Sequence, residues 1–350
     1  MKKELYIHIG VQKTGTSAIQ SFMISNREKL AQDYSCLYPD FQSPSFNGGT
    51  TLNHGPFFRN NNSDTILDSL HEMISYSNKK NIKKIILSWE VLYTNPQWAE
   101  IINEAVKDQR DIRCVVIAYV RRQDHWLESA WKQMGLKDKN FDSIHDYVYK
   151  YHIMWLDYFD KWADIFGKNN FIVHAYENEQ LPDGLISDFF KILNIDIKDS
   201  NWVQPSSHNK NDNFGFHRDV IEILQLNRDF YKDNADNRLF NFFSEYLNDN
   251  YKKKPFEKYS LLSPQQRIEL LEKYEPMNKI IAQKYMGKAD GKVFYEPMPD
   301  PNEPWEPYEG LTVEKIVPIF TQVLFNMDTK YKKKFRNLRQ NMNRNHKKME

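Results

Sequence analysis

The segment with the most chemical character lies near the beginning of the chain, at residues 8–17, "HIGVQKTGTS". Gly10, Gly15 and Ser17 fit the G-x-x-x-x-G-K-[ST] pattern of nucleotide-hydrolase phosphate loops, but Thr16 stands where that pattern requires lysine. The lysine of this segment is Lys13, which lies inside the loop. Backbone N–H groups at the start of a helix attract anions, so the segment predicts a phosphate site. The lysine of this site lies three residues earlier than in the nucleotide-hydrolase pattern.

A second anion-binding pattern follows the predicted strand "DIRCVVIAYV". Arg121 comes directly after this strand, and Ser129 follows on the first turns of the next helix. A guanidinium presents a planar fork to phosphate, and a serine hydroxyl can complete the shell of the same oxyanion. Two anion sites, one after the first predicted strand and one after the third, would suit a nucleotide with phosphates at its 5′ and 3′ positions. We expect Arg122 to face solvent or an acceptor, and Asp124 to cap the helix.

These two segments together resemble the sulfotransferases that use 3′-phosphoadenosine 5′-phosphosulfate (PAPS). "VQKTGTS" is similar to their 5′-phosphosulfate loop, and "YVRRQDHWLESAW" is similar to their 3′-phosphate segment. The resemblance spans roughly residues 5–195. It is closer to bacterial capsule, exopolysaccharide or glycolipid sulfotransferases than to the cytosolic small-molecule group. The chain lacks that group's proline before the loop lysine and its late Lys-Gly-x-x-Gly-x-Trp segment.

The resemblance implies sulfuryl transfer from PAPS to a carbohydrate hydroxyl, with adenosine 3′,5′-bisphosphate as the product and no metal. Lys13 would lie near the bridging oxygen and stabilise the negative charge that grows there as the S–O bond breaks. The acceptor class, a capsule, exopolysaccharide or glycolipid, follows from the family likeness alone. The predicted cofactor-binding residues are Gly10, Lys13, Thr14, Gly15, Thr16, Ser17, Arg121, Ser129 and Lys210.

The acceptor hydroxyl needs a general base, because it ionises only far above neutral pH. Glu90 ends a predicted strand that should neighbour the first one, and His54 lies in the long segment that we expect to form a loop over the site, residues 38–63. Related sulfotransferases often carry their base at one of these two places. Both residues are candidates at this stage, together with Lys13 as the third catalytic residue.

Strands and helices alternate through the first part of the chain, which predicts an α/β fold with a P-loop-type parallel sheet flanked by helices. The predicted strands are "ELYIHIG", "IKKIILSWE", "DIRCVVIAYV" and "NFIVHAYE". We expect residues 1–213 to form the PAPS-binding core, residues 214–329 a mainly helical C-terminal extension, and residues 330–350 a basic tail. The last helix is predicted near residues 312–325.

Charge and composition indicate which kinds of partner the protein could bind. The net charge of +1 gives no sign of nucleic-acid binding, but the tail after residue 329 is strongly basic and could make a peripheral contact with anionic membrane. Only Cys36 and Cys114 are present, and no apolar stretch is long enough for a membrane span, so we expect a cytoplasmic protein. The basic tail could place it at the inner face of the membrane. Histidine and cysteine show no metal-ligand spacing.

Two other functions fit parts of the pattern. A Mg²⁺-dependent nucleotide or sugar kinase would use Glu90 as the acid that holds the metal, but Thr16 counts against it. A non-catalytic scaffold would keep the fold and use its helical half and basic tail for assembly. The joint presence of Lys13, Arg121, Ser129 and a candidate base argues against a scaffold.

Overall fold

The computed structural model describes residues 2–43, 45–48, 52–198, 201–204, 215–248, 250–252 and 260–349, with backbone only from 343 onward. Lys210, one of the predicted cofactor ligands, lies outside the described residues.

A five-stranded, all-parallel sheet organises the first part of the chain. The strands are β1 (Lys3–Gly10), β2 (Cys36–Leu37), β3 (Lys84–Ser88), β4 (Ile112–Val120) and β5 (Phe171–Ala175). Their order in the sheet is β2-β3-β1-β4-β5. The prediction of an α/β fold with a parallel sheet is therefore confirmed, and the predicted strands correspond to β1, β3, β4 and β5. The two-residue β2 was not predicted.

Helices make up most of the rest of the described chain. They are α1 (Thr16–Ser25), α2 (Arg27–Tyr34), α3 (Gly55–Asn60), α4 (Ser63–Lys79), α5 (Gln97–Val106), α6 (Gln123–Ala130), α7 (Ile144–Lys150), α8 (Trp155–Phe166), α9 (Leu185–Ile192), α10 (Arg218–Leu226), α11 (Arg238–Tyr246), α12 (Pro264–Tyr285) and α13 (Val313–Met349). Short 3₁₀ turns occur at Leu92–Thr94, Lys168–Asn170, Asn178–Gln180 and Arg228–Phe230, and a π-helical turn at Trp131–Gly135. The segment predicted as a loop over the site thus contains α3 and the start of α4.

The sheet is buried on both faces, as its nearly continuous apolar strands require. On one face, α1 and α9 pack over Tyr6 and Ile117, with the rings of Phe22 and Phe190 5.2 Å apart. On the other face, alternate residues such as Ile7 are also fully buried. The strand β1 therefore lies at the centre of the fold, and the loop after it is fixed by packing on both sides.

The order of the strands creates a crevice at the carboxyl end of the sheet. After β1 the chain passes through α1 and α2 to β2, on the β3 side of the sheet, whereas after β4 it reaches β5 on the opposite side. Open α/β sheets bind ligands at such a switch point, outside the carboxyl ends of the strands. The loop that follows β1 and the residues that follow β4 border this crevice.

The chain divides into two compact units, each built from separate stretches of sequence. The first unit, Met1–Leu127, His152–His208 and Gln265–Pro301, contains the sheet. The second unit, Glu128–Tyr151, Asn209–Pro264 and Asn302–Glu350, contains α7, α10, α11 and α13. The mainly helical C-terminal part agrees with the sequence, but α12 belongs almost wholly to the first unit, and the predicted basic tail continues α13. Among the described residues, no helix is long and apolar enough to cross a membrane.

Candidate functional site

The loop between β1 and α1 has an unusual backbone. Gly10, Lys13 and Gly15 have φ angles of 94°, 65° and 80°, in the left-handed region. Gly10 requires glycine for a second reason, because an added Cβ would lie 2.6 Å from the Cα of Glu90. Lys13 has no such freedom, and a side chain in this region costs on the order of 1–3 kcal/mol, a strain that is concentrated at functional sites. The loop and Glu90 are thus packed directly against each other.

Side chains from several elements hold this loop in place. The Thr14 hydroxyl donates to the Val11 carbonyl at 2.6 Å, which closes the turn from inside. The indole N–H of Trp126, on α6, donates to the Gln12 carbonyl at 2.8 Å, and the Tyr93 hydroxyl donates to the Gln12 side chain at 3.0 Å. Gln12 was not predicted to matter, and no sequence signal distinguishes it. These hydrogen bonds therefore fix the conformation of the loop.

The start of α1 offers hydrogen-bond donors. Within the described part of the chain, the N–H groups of Thr14, Gly15, Thr16 and Ser17 have no backbone carbonyl partner. The side chain of Thr16 is buried, at 4% exposure, and its hydroxyl has no hydrogen-bond partner among the described residues. Consecutive N–H groups at a helix start suit an anion, so this segment fits a phosphate or sulfate group.

Arg121, which directly follows β4, also lies beside this loop. Its guanidinium donates to the Lys13 carbonyl at 3.2 Å and lies 5.7 Å from the centre of the Tyr176 ring. The structure therefore brings the Arg121 side chain next to the backbone of the glycine loop. Ser129 was predicted on the first turns of the helix after β4, and that prediction is wrong, because α6 begins at Gln123 and ends at Ala130, so Ser129 lies in its last turn. The boundary between the two units falls after Leu127.

Arg122 does not face solvent or an acceptor, and that prediction is wrong. Its side chain is 5% exposed and forms ion pairs with Asp124 at 2.8 Å and with Glu296 at 3.0 Å. Asp124 does not cap the helix but lies in its first turn, where Arg267 also pairs with it at 2.9 Å. Burial alone would raise the pKa of Asp124, but its hydrogen bond to Arg122 and the neighbouring cationic groups lower that pKa to about 2. This ion-pair network holds α6 in place.

Glu90 is half-buried and lies in a turn two residues after the end of β3, the strand that neighbours β1, and not at the strand's last position as predicted. One of its carboxylate oxygens accepts a hydrogen bond from the Gln20 side chain at 3.4 Å. Gln20, on α1, also donates to the Ser88 hydroxyl at 3.1 Å, and the His8 ring contacts that hydroxyl at 2.9 Å. Burial lowers the pKa of His8 to about 3, so its imidazole is neutral. Hydrogen bonds thus connect His8 through Ser88 and Gln20 to Glu90.

Gln20 is a residue that the sequence could have indicated. It lies four residues after Thr16 on α1, between Ile19 and Phe22 on the buried part of that helix, and is 1% exposed. A polar side chain at a buried helix position needs a partner. That signal points to a polar site beneath the helix, although it does not identify Glu90 as a member.

His54 precedes α3 and is buried, at 3% exposure. Its Nδ1 accepts a hydrogen bond from the Ser88 N–H at 2.9 Å, so its Nε2 carries the proton and donates to the Pro39 carbonyl at 2.8 Å. Burial lowers the pKa of this imidazole to about 4, although both backbone contacts act in the opposite direction. Since both ring nitrogens bind backbone groups, this geometry favours a structural role for His54.

In the described part of the chain, no group of three or more His, Cys, Asp or Glu side chains lies close enough together to hold a metal ion. The candidate site in the first unit therefore consists of a glycine loop, two basic residues and one half-buried carboxylate.

Comparison with known proteins adds little. No protein-family profile matches the chain. An uncharacterized protein from Archaeoglobus fulgidus is 33% identical over 106 residues, and the match covers 28% of this chain. The chain spans only about 28% of the length of that relative. The likeness carries no information on activity, so function must be argued from the site.

Proposed function

We propose that this protein is a PAPS-dependent sulfotransferase with a P-loop-type core and a carbohydrate acceptor. The observation that supports this most is the meeting of three groups at one end of the sheet. Arg121 contacts the backbone of Lys13, and Gly10 packs against the backbone of Glu90. A cationic loop, a second cation for another phosphate and a carboxylate are the groups that metal-independent sulfuryl transfer requires.

The roles of the residues follow from charge. PAPS, when bound, supplies the sulfuryl group that moves to the acceptor hydroxyl. The loop N–H groups from Thr14 to Ser17 would hold its 5′-phosphate end, and Lys13 would stabilise the negative charge on the oxygen released from sulfur. Arg121, with Ser129 by the family likeness, would bind the 3′-phosphate. Lys210, which lies outside the described residues, remains a proposed cofactor ligand.

Glu90 would act as the general base. As the acceptor oxygen bonds to sulfur and the bridging S–O bond breaks, the acceptor proton passes to the Glu90 carboxylate. The amide of Gln20 would hold one carboxylate oxygen and leave acceptor capacity for the substrate. His54 is less suited to this role, because its two nitrogens already bind Ser88 and Pro39.

Ligand binding tests the proposal directly. We expect adenosine 3′,5′-bisphosphate to raise the melting temperature of the protein without Mg²⁺, and more than adenosine 5′-phosphate does. A ligand at about a hundred times its Kd stabilises a protein by about 2.7 kcal/mol, which is easily measured. Stabilisation by ATP with Mg²⁺ and not by the bisphosphate would favour the kinase alternative. Transfer of labelled sulfate from PAPS to polysaccharide acceptors would then exclude a scaffold.

The Arg121→Ala variant tests the 3′-phosphate site. Loss of a charge-assisted phosphate contact costs roughly 1.5–3 kcal/mol, so affinity for the bisphosphate should fall by roughly 10- to 150-fold. Affinity for adenosine 5′-phosphate should change much less. Arg113→Ala is a matched control, because Arg113 lies on the same strand near its other end, with a side chain 50% exposed. Calorimetric titration measures both affinities, and equal losses for the two nucleotides would contradict the assignment.

A further inference from the structure

The last helix of the chain is packed in its first half and exposed in its second. In the second unit, α13 buries Ile319 and Val323, at 0% and 2% exposure, and the Asn326 side chain donates to the Tyr246 carbonyl at 2.7 Å. Lys330 forms an ion pair with Glu245 on α11. From residue 328 to residue 342, every residue is exposed. The helix thus continues beyond its packed part with side chains in solvent.

This exposed part carries an apolar stripe. Tyr331, Phe335, Leu338 and Met342 are 47%, 69%, 49% and 71% exposed. They are spaced by four, three and four residues, so they lie on one face of the helix. Single exposed apolar residues are common on protein surfaces, but a row of them along one helix face indicates a surface that binds a partner or a membrane.

Basic side chains flank the stripe. Residues 330–349, here called the basic helix segment, carry Lys330, Lys332, Lys333, Lys334, Arg336, Arg339, Arg344, Lys347 and Lys348, and no aspartate or glutamate. At 100° per residue, Lys334 and Arg339 fall on opposite sides of the apolar face. Lys330 and Lys332 pair with Glu245 and Asp328, outside the segment. Two copies packed through this stripe would bring the basic side chains of both copies together, and the segment itself supplies no acidic side chain to pair with them. Charge therefore disfavours a second copy as the occupant and favours an anionic surface.

We propose that the basic helix segment lies on the surface of an anionic lipid bilayer, with the apolar stripe inserted below the headgroups. Helices with an apolar face and a Lys/Arg-rich polar face bind membrane interfaces in this way. The apolar stripe separates this partner from nucleic acid, since a polyanion in water would attract the basic side chains and leave the stripe uncovered. The proposal does not depend on the sulfotransferase activity.

A fluorescent label can report insertion. The natural cysteines, Cys36 and Cys114, are both buried, so a cysteine placed on α13 is the one that an environment-sensitive dye should label in the folded protein. Leu338→Cys places the dye on the apolar stripe, and Gln340→Cys places it about 200° away around the helix. With vesicles of phosphatidylcholine and about one-third phosphatidylglycerol, we expect a blue shift at position 338 and little change at position 340. Equal signals at both positions would overturn the insertion.

Vesicle flotation with the full chain separates charge from apolar contact. Charge reversal at Lys332, Lys333 and Lys334 should reduce binding to the anionic vesicles at least about tenfold. A Phe335→Ser, Leu338→Ser pair should reduce it by a similar factor, whereas an Asn337→Ser, Gln340→Ser pair should not. Binding unaffected by the stripe substitutions, binding to phosphatidylcholine alone that equals binding to the mixture, or lipid-free dimers broken by the stripe substitutions would each overturn the proposal.

Discussion

Glu90 and His54 adjoin the same strand end, but their surroundings differ. His54 is buried, and both ring nitrogens are taken by the backbone of Ser88 and Pro39. Glu90 is half-buried and accepts one long hydrogen bond, from Gln20 at 3.4 Å, although a carboxylate can accept about four. A polar group whose capacity is used inside the protein supports the fold, whereas one with remaining capacity beside a glycine loop is available to a substrate. The same contrast separates Thr16, whose hydroxyl has no hydrogen-bond partner among the residues that the structure describes, from Thr14, whose hydroxyl donates to the Val11 carbonyl.

The largest loss of activity is expected from substitution of Lys13, which we place among the side chains that act on the substrate. Lys13→Ala should lower kcat by roughly 10²- to 10³-fold, as loss of one oxyanion donor does, with a much smaller effect on affinity for the bisphosphate. Transition-state contacts act on kcat, and steady-state assays with saturating PAPS measure this. Lys107→Ala is a suitable control, because Lys107 is exposed and pairs with Glu104 at the end of α5. A variant that binds poorly but turns over normally at saturation would make Lys13 a binding residue only.

Glu90→Gln should have the next largest effect. The amide keeps the shape of the side chain but is not a base, so transfer should slow by at least about a hundredfold while bisphosphate binding stays normal. Near-normal turnover in this variant would place the base elsewhere and remove the distinction between Glu90 and His54.

Substitution of His54 should affect stability and not chemistry. His54→Gln loses well-placed buried contacts to Ser88 and Pro39, which should cost about 1–3 kcal/mol of unfolding free energy, with kcat close to the wild-type value. Urea unfolding at neutral pH measures the loss. If instead the variant is stable and inactive, His54 acts in the reaction and not in the fold.

The pH dependence of stability sharpens the same point. Burial lowers the pKa of folded His54 to about 4, below the ordinary value of 6.5 that the unfolded chain has. As pH falls, the unfolded state therefore takes up this proton first, and stability is lost between about pH 6.5 and about pH 4, with no penalty above that range. His54→Gln should lose less stability over this range than the wild-type protein. Some loss should remain, since burial also lowers the pKa of His8 to about 3.

Local patterns were enough to predict the sheet and the loop, but not the partners of individual side chains. The strands β1, β3, β4 and β5 are apolar runs long enough to stand out, whereas Cys36–Leu37 is too short to give a period. Arg122 was misplaced because its partner Glu296 is 174 residues away in sequence. The sequence left Glu90 and His54 as alternatives for the same reason: the contacts that distinguish them come from Gln20 and Pro39, on separate segments.

The left-handed backbone of Lys13 has a consequence for how this loop would respond to selection. Glycine is the residue that this backbone conformation favours. Selection for heat resistance alone would therefore tend to replace Lys13 with glycine, since the fold gains when the strain is removed. A lysine at φ 65° is a place where stability and activity favour different residues. Variants improved for one property should be checked there first for loss of the other.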